Sequence, residues 1–213
     1  MKAPLVLVTA GPTRERIDPV RFISNYSTGT FGYKIAEEAR DRGCRVVLVT
    51  GPVSINPPSG VKTIYVDSAI EMQKAVKVWS GKADYIFMAA AVSDWRASNP
   101  AKSKIKKKGG RISLELKENP DILKALGKNK TYRLVGFALE TENLAGNAVK
   151  KLKSKGLDLI VANRLTKSYK LFGDNKIDVL IMDRYGGRNL YNGLSKGRLA
   201  KIILDKAFGF NIK

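Results

Sequence analysis

Six short apolar runs mark the chain as far as Asn163, and none alternates apolar with polar in the way a strand with one wet face does. They are Leu5–Ala10, Arg45–Thr50 and residues 63–66, 84–91, 134–139 and 157–163. Strands that are apolar at successive positions are covered on both faces, which is the condition of a parallel sheet packed between helices. Helical patterns fill the intervals, over 31–42, 68–80, 121–127, 142–155 and 195–207. The first is stopped by Gly43 and the fourth is followed by Gly156, while Ser68 and Glu71 are spaced as a capping box. This order predicts an α/β fold: a doubly wound, mostly parallel Rossmann-like sheet with helices on both faces.

Two stretches break the alternation. "KIKKKGGRISLEL" and "DVLIMDRYGGRNLY" each set Gly-Gly between β-like runs and read as hairpins. The first would be a flap over about 102–116. The second, over about 177–192, either extends the sheet or joins two subunits. No internal repeat, low-complexity tract or flexible linker is visible, so 1–213 is expected to be a single domain.

Composition narrows the chemistry. A content of 44% hydrophobic and 27% charged residues is that of a soluble globular protein. No apolar run approaches the ~20 residues of a membrane helix. The start, "MKAPLVLVTAG", reads as a first strand rather than a secretory signal, which makes the cytoplasm the expected compartment. There is no histidine, so Ser-His-Asp and Cys-His catalysis and every His-ligated metal site are excluded. The single cysteine, Cys44, allows neither an internal disulfide nor a Cys-cluster zinc site and reads as a small core residue. What remains is carboxylates, lysines, amides, the backbone and Mg²⁺. A net charge of +20 calls for an anionic partner, or reflects a solvated basic surface.

In a doubly wound sheet ligands bind beyond the carboxyl ends of the strands. Those ends carry "GPTRE", "AAAVSDWR", "ALETEN" and "NRL". The small residues 89–91 would let backbone approach a ligand closely. Asn25, Ser27, Thr28 and Gly29 crowd the start of the first helix, as an anion site at a helix N-terminus or as an ordinary cap with a long entry loop. No G-x-G-x-x-G or G-x-x-x-x-G-K-[ST] motif is present. "KSKIKKKGG" holds five lysines in seven residues, and strand alternation would put Lys104 and Lys106 on one face and Lys107 opposite. The stretch is either a mobile cationic flap or an edge hairpin protected by charge. Lys151 and Lys155 share a helix face at i, i+4, a like-charge spacing that an anionic ligand would relieve. Asp94 follows a turn facing the ligand side, and Asp121, after Pro120, sits there or starts a helix.

Taken in order, "VLVTAGPTRERIDPVRFISNYSTGTFG", "AAAVSDWR", "KIKK", "KENPDIL", "VGFALETEN" and "LDLIVAN" resemble phosphopantothenoylcysteine synthetase, the ligase of coenzyme A biosynthesis. The resemblance runs from the first strand to at least Asn163 and is looser in "LFGDNKIDVLIMD". It implies joining of 4′-phosphopantothenate and L-cysteine: CTP activates the carboxylate as an acyl-cytidylate, and the cysteine amine then displaces CMP. Eukaryotic relatives favour ATP. It further implies Mg²⁺, a homodimer, and association or fusion with the decarboxylase acting next.

By motif position the resemblance gives Asn25 the task of holding the activated carboxyl group. Arg21, Ser27, Thr28 and Gly29 would contact substrate or phosphate. Lys104 would reach the triphosphate, supported by Lys107. Met88, Ala89, Ala90, Asp94, Pro120, Asp121, Ile122, Leu123 and Phe137 would line the nucleotide pocket, with Lys151 and Lys155 facing the nucleotide. No metal ligands are assigned. Many relatives carry Lys or Arg after S-x-G, where this chain has Thr30. Two other classes compete: a basic nucleic-acid-binding protein, which would explain the charge, and a nicotinamide-dependent reductase, against which the missing glycine fingerprint speaks.

Overall fold

The continuous apolar runs become the centre of one sheet. The computed structural model describes residues 2–107, 109–128, 130–165 and 175–209. In chain order its elements are β1 (Leu5–Ala10), β2 (Arg14–Arg16), β3 (Phe22–Ser24), α1 (Thr30–Asp41), β4 (Arg45–Thr50), β5 (Lys62–Tyr65), α2 (Ala69–Ser80) and β6 (Tyr85–Met88). They continue with β7 (Trp95–Ala97), β8 (Leu116–Glu118), α3 (Ile122–Leu126), β9 (Arg133–Glu140), α4 (Leu144–Ser154), β10 (Leu159–Arg164), β11 (Ile177–Asp183), β12 (Arg188–Leu194) and α5 (Lys196–Gly209).

Eight strands pair in the order β12-β11-β10-β9-β6-β1-β4-β5. The last six are mutually parallel and follow the doubly wound order 3-2-1-4-5-6, with the reversal of direction between β1 and β6. The hairpin β11–β12 pairs antiparallel to β10 and extends the sheet, leaving β12 at its edge. Side chains of β1 alternate between two cores. Val6 and Val8 pack with α1 and α5, Leu5 and Leu7 with α2, α3 and α4. Cys44 lies in the first core, where burial pushes its thiol up from the usual range. Ser68 caps α2 through the Glu71 N–H as the capping-box spacing predicts, while the return bond from the Glu71 carboxylate goes to the Asp67 N–H, one residue before the cap.

Three segments differ from expectation. The run 84–91 leaves the sheet after Met88: the Ala90 N–H turns to the Thr9 hydroxyl, and Ala91 bonds Gly11 and Thr13 in the loop after β1. Residues 14–24, read as open loop, form the hairpin β2–β3. The flap is not a hairpin centred on Gly109 and Gly110. Its ladder joins β7 to β8, and the described residues between them contain no strand. The reason lies at Ile105, whose N–H and C=O are bonded to Asp18 and Arg21 and so are lost to any cross-strand partner.

Candidate functional site

The crevice opens where the strand order reverses, and side chains stitch its two walls together. Thr9 Oγ1 accepts the Ala90 N–H at 3.2 Å, and Thr13 Oγ1 accepts the Ser93 N–H at 3.0 Å. Ala91 donates to the Gly11 carbonyl at 2.9 Å. These bonds hold the loops after β1 and β6 side by side, both at the carboxyl edge of the sheet.

Three glycines let the chain pass through this crowded edge. Gly11 and Gly29 have φ of 71° and 75°, and a Cβ on Gly29 would lie 3.3 Å from the Gly11 nitrogen. A Cβ on Gly32 would lie 2.6 Å from Ala10 Cβ, so α1 rests directly on β1. Tight turn, close backbone approach and helix–strand packing are the tasks of a dinucleotide glycine motif. Here the β2–β3 hairpin separates the first glycine from the other two. The residue preceding α1 is Gly29, without a side chain to cap the first-turn N–H groups, and the first turn carries no acid. The Ser27 hydroxyl accepts the Gly29 N–H at 3.2 Å and shapes this entry.

Two adjoining cavities occupy the crevice. The first, about 530 Å³, is lined by Met88, Ala90 and Asp94, by residues 120–123, and by Phe137, Lys151 and Lys155. The second, about 500 Å³, is lined by Asn25, Ser27, Thr28 and Gly29 together with Ala89 and Ala90. Ala90, Val92, Asp94, Phe137 and Lys151 belong to both, which makes the pair one groove. Of the residues expected to bind nucleotide, all but Lys104 line it.

Charge inside the groove is unevenly compensated. Lys155 pairs with Asp121, whose other oxygen accepts the Lys124 N–H at 2.8 Å, so Asp121 starts α3 and anchors a lysine at once. Burial would raise the Asp121 carboxyl, but the hydrogen bond from Lys155 and the Lys124 N–H together hold it below the usual range. Lys151 donates to the Phe137 carbonyl at 2.8 Å, and burial pushes its ammonium pKa down. Asn25 donates its side-chain amide to the Val92 carbonyl at 3.0 Å, which ties the loop after β3 to the loop after β6.

Lys104 and Lys107 are exposed and line neither cavity. Arg21 also lies outside both. Rather than facing the groove, its guanidinium donates to the Ile105 carbonyl at 3.0 Å and sits 3.4 Å from the Asp18 carboxylate. Sequence reasoning missed Asn119, which donates to the Ser93 carbonyl, accepts from Arg96 and so fixes the Asp94 loop beside Pro120. It also missed Lys196, the first residue of α5, a buried lysine on the wall of the second cavity. One lysine among several in a helical pattern carries no signal that could have marked it.

Among the described residues no group of three or more His, Cys, Asp or Glu could hold a metal ion unaided. No helix among them is long and apolar enough to cross a membrane.

Residues 1–210 match the family model "DNA/pantothenate metabolism flavoprotein C-terminal domain". Over 203 residues the chain is 45% identical to the coenzyme A biosynthesis bifunctional protein CoaBC of Bacillus subtilis, covering 94% of this chain and 50% of that protein. The chain thus spans about half the length of this relative. The crystal structure of a CoaBC C-terminal domain superposes with a TM-score of 0.82 at 37% identity, covering 97% of this chain and 94% of that one. A Cab2 variant complexed with phosphopantothenate-cysteine shares the fold, with a TM-score of 0.79 at 19% identity and coverage of 97% and 87%. The chain belongs to the DNA/pantothenate metabolism flavoprotein C-terminal domain family.

Proposed function

We propose that this chain is a ligase of coenzyme A biosynthesis, joining 4′-phosphopantothenate to L-cysteine at the expense of a nucleoside triphosphate, CTP in preference to ATP. The observation that carries this reading is the continuity of the groove. A cavity lined by the loops after β6 and β8, by Phe137 of β9 and by the end of α4 runs without a wall into one bounded by Asn25 and the start of α1. Each compartment has the volume of a small-molecule site.

In the first step a carboxylate oxygen of phosphopantothenate attacks the α-phosphorus. The bond from that phosphorus to the bridging oxygen breaks, and pyrophosphate leaves. In the second, the cysteine amine attacks the acyl carbon, CMP leaves with the electrons of the acyl–oxygen bond, and the amine gives up a proton. Neither step needs a protein nucleophile, only alignment and positive charge on the phosphates, which a chain without histidine can supply. Lys151 and Lys155 face the nucleotide compartment, and Lys196 with the α1 N-terminus faces the other. Lys104 reaches the triphosphate from the flap, and Asn25 holds the acyl group for attack.

Mg²⁺ fits this donor set. It is ordinarily held by one or two carboxylates, water and substrate phosphates, and Asp94 is exposed where the two cavities meet. Bound there it would neutralise phosphate charge. A homodimer, cytoplasmic location and association with a phosphopantothenoylcysteine decarboxylase belong to the same reading. The edge strand β12 offers unpaired backbone groups for the dimer contact.

The test is pyrophosphate release with 4′-phosphopantothenate, Mg²⁺ and either CTP or ATP, with and without cysteine. Release that requires phosphopantothenate, and turns over repeatedly only with cysteine, is the expected result. No release with either nucleotide from folded protein sinks the proposal and returns the +20 charge to the nucleic-acid reading.

A further inference from the structure

Asp18 lies at the turn of the β2–β3 hairpin with its side chain fully buried, although the neighbouring sequence is charged and exposed. One carboxylate oxygen accepts the N–H groups of Val20 and Arg21, both at 2.8 Å. The other accepts the N–H of Ile105 at 3.1 Å, from 87 residues further along the chain. Arg21 completes the arrangement by donating to the Ile105 carbonyl at 3.0 Å, and Ala101 donates to the Ile17 carbonyl at 2.8 Å. Both backbone groups of one flap residue are thus held by the hairpin.

That residue stands between two exposed lysines, Lys104 and Lys106. The hairpin leads directly into Asn25 on the second cavity, while the flap springs from β7 and β8, where Trp95 and Glu118 line the first. The flap is therefore tied to both ends of the groove. A clamp of this kind removes in advance the ordering cost that a free lysine-rich loop would meet when a ligand binds.

We propose that Asp18 is a positioning residue for the flap: by fixing the main chain at Ile105 it fixes the backbone that carries Lys104 before ligand arrives. Burial opposes ionisation of Asp18, yet the hydrogen bonds from Val20, Ile105 and Arg21 and the charge of Arg21 hold its pKa below the ordinary value, so the clamp stands at neutral pH. The kinetic consequence rests on the ligase reading above, whereas the clamp itself does not.

The experiment is a cycle of Asp18→Asn, Lys104→Ala and the double variant, read as kcat and KM for CTP in pyrophosphate release, with amide exchange at Ile105. Asp18→Asn should speed Ile105 exchange and lower kcat/KM for CTP about tenfold or more, and the double variant should be no worse than Lys104→Ala alone. Ile105→Pro, which removes the N–H but leaves Asp18 intact, should show the same lack of additivity, and covers the case in which Asp18→Asn does not fold. Effects that multiply, or Ile105 exchange unchanged in Asp18→Asn, overturn the proposal. If the unsubstituted protein neither turns over nor binds CTP, the ligase reading fails instead, and the exchange measurement alone decides the clamp.

Discussion

Lys151 donates its ammonium to the main-chain carbonyl of Phe137 at 2.8 Å, at the point where the two cavities meet. Burial is the largest influence on that ammonium and lowers its pKa; Glu140 pulls it upward and Lys155 down. An anionic ligand in the groove would favour the charged form and raise the pKa again. Between the two values binding must take up a proton. CTP affinity should therefore fall as pH rises from the first value to the second, with net proton uptake in calorimetry across buffers of different ionisation enthalpy. Lys151→Met should bind more weakly and lose the uptake; a pH dependence unchanged in that variant would assign it to another group.

Asn25 gives a different kind of expectation. Its amide nitrogen is committed to the Val92 carbonyl at 3.0 Å, and Asn25→Asp would set a negative oxygen against that carbonyl. The substrate loop should shift, and the step that needs the acyl group held in place should suffer most, by about 10²–10³ in rate. Pyrophosphate should still appear as a burst of about one equivalent per site, while amide formation measured with labelled cysteine falls. Equal loss of both signals would remove Asn25 from the second step.

The parallel sheet was legible because strands buried on both faces need apolar residues in succession, and β1, β4 and β9 have them. The two small ribbons were not. β2 and β3 pair over three residues each, as do β7 and β8, so no periodicity can accumulate. The glycine motif was hidden by distance: Gly11 meets Gly29 and Gly32 only after β2–β3 has been folded out of the way. The residues expected to bind nucleotide were named by motif resemblance, and all but Lys104 line the one groove that the two cavities form. Arg21 and the lysine flap escaped because their arrangement depends on Ile105, an unremarkable residue whose main chain does the binding. Lys104, expected to reach the triphosphate, is exposed on the flap.

Gly29 tests the split motif. Its φ of 75° costs a residue with a Cβ about 1–2 kcal/mol, and the added carbon would meet Val53 Cγ1 at 2.8 Å. Gly29→Ala should lower the thermal midpoint and weaken CTP binding. Val53→Ala in the same chain should relieve the collision but not the backbone strain, so recovery should be partial. Full recovery would show that the positive φ is of no consequence at this turn.

Asp158 lies at the opposite edge of the sheet, just before β10, with its side chain 3% exposed. It pairs with Lys130, accepts the Leu134 N–H at 2.8 Å and bonds Arg184 at 3.0 Å. Burial works to raise its pKa, but the bond from Lys130, the Leu134 N–H and Arg184 lower it below the ordinary value. A carboxylate depressed in the folded state contributes stability above its unfolded pKa of about 4, and the contribution is lost as pH falls through the lower folded value. Asp158→Asn leaves the half-buried Lys130 without its counter-charge and should cost about 2–4 kcal/mol in urea unfolding at pH 7. The difference from the unsubstituted protein should shrink as the pH is lowered into the acid range. Because no atom of Asp158 lines the groove, ligase activity per folded molecule should be unchanged. A variant as stable as its parent would mean that the surrounding cations reach solvent without it.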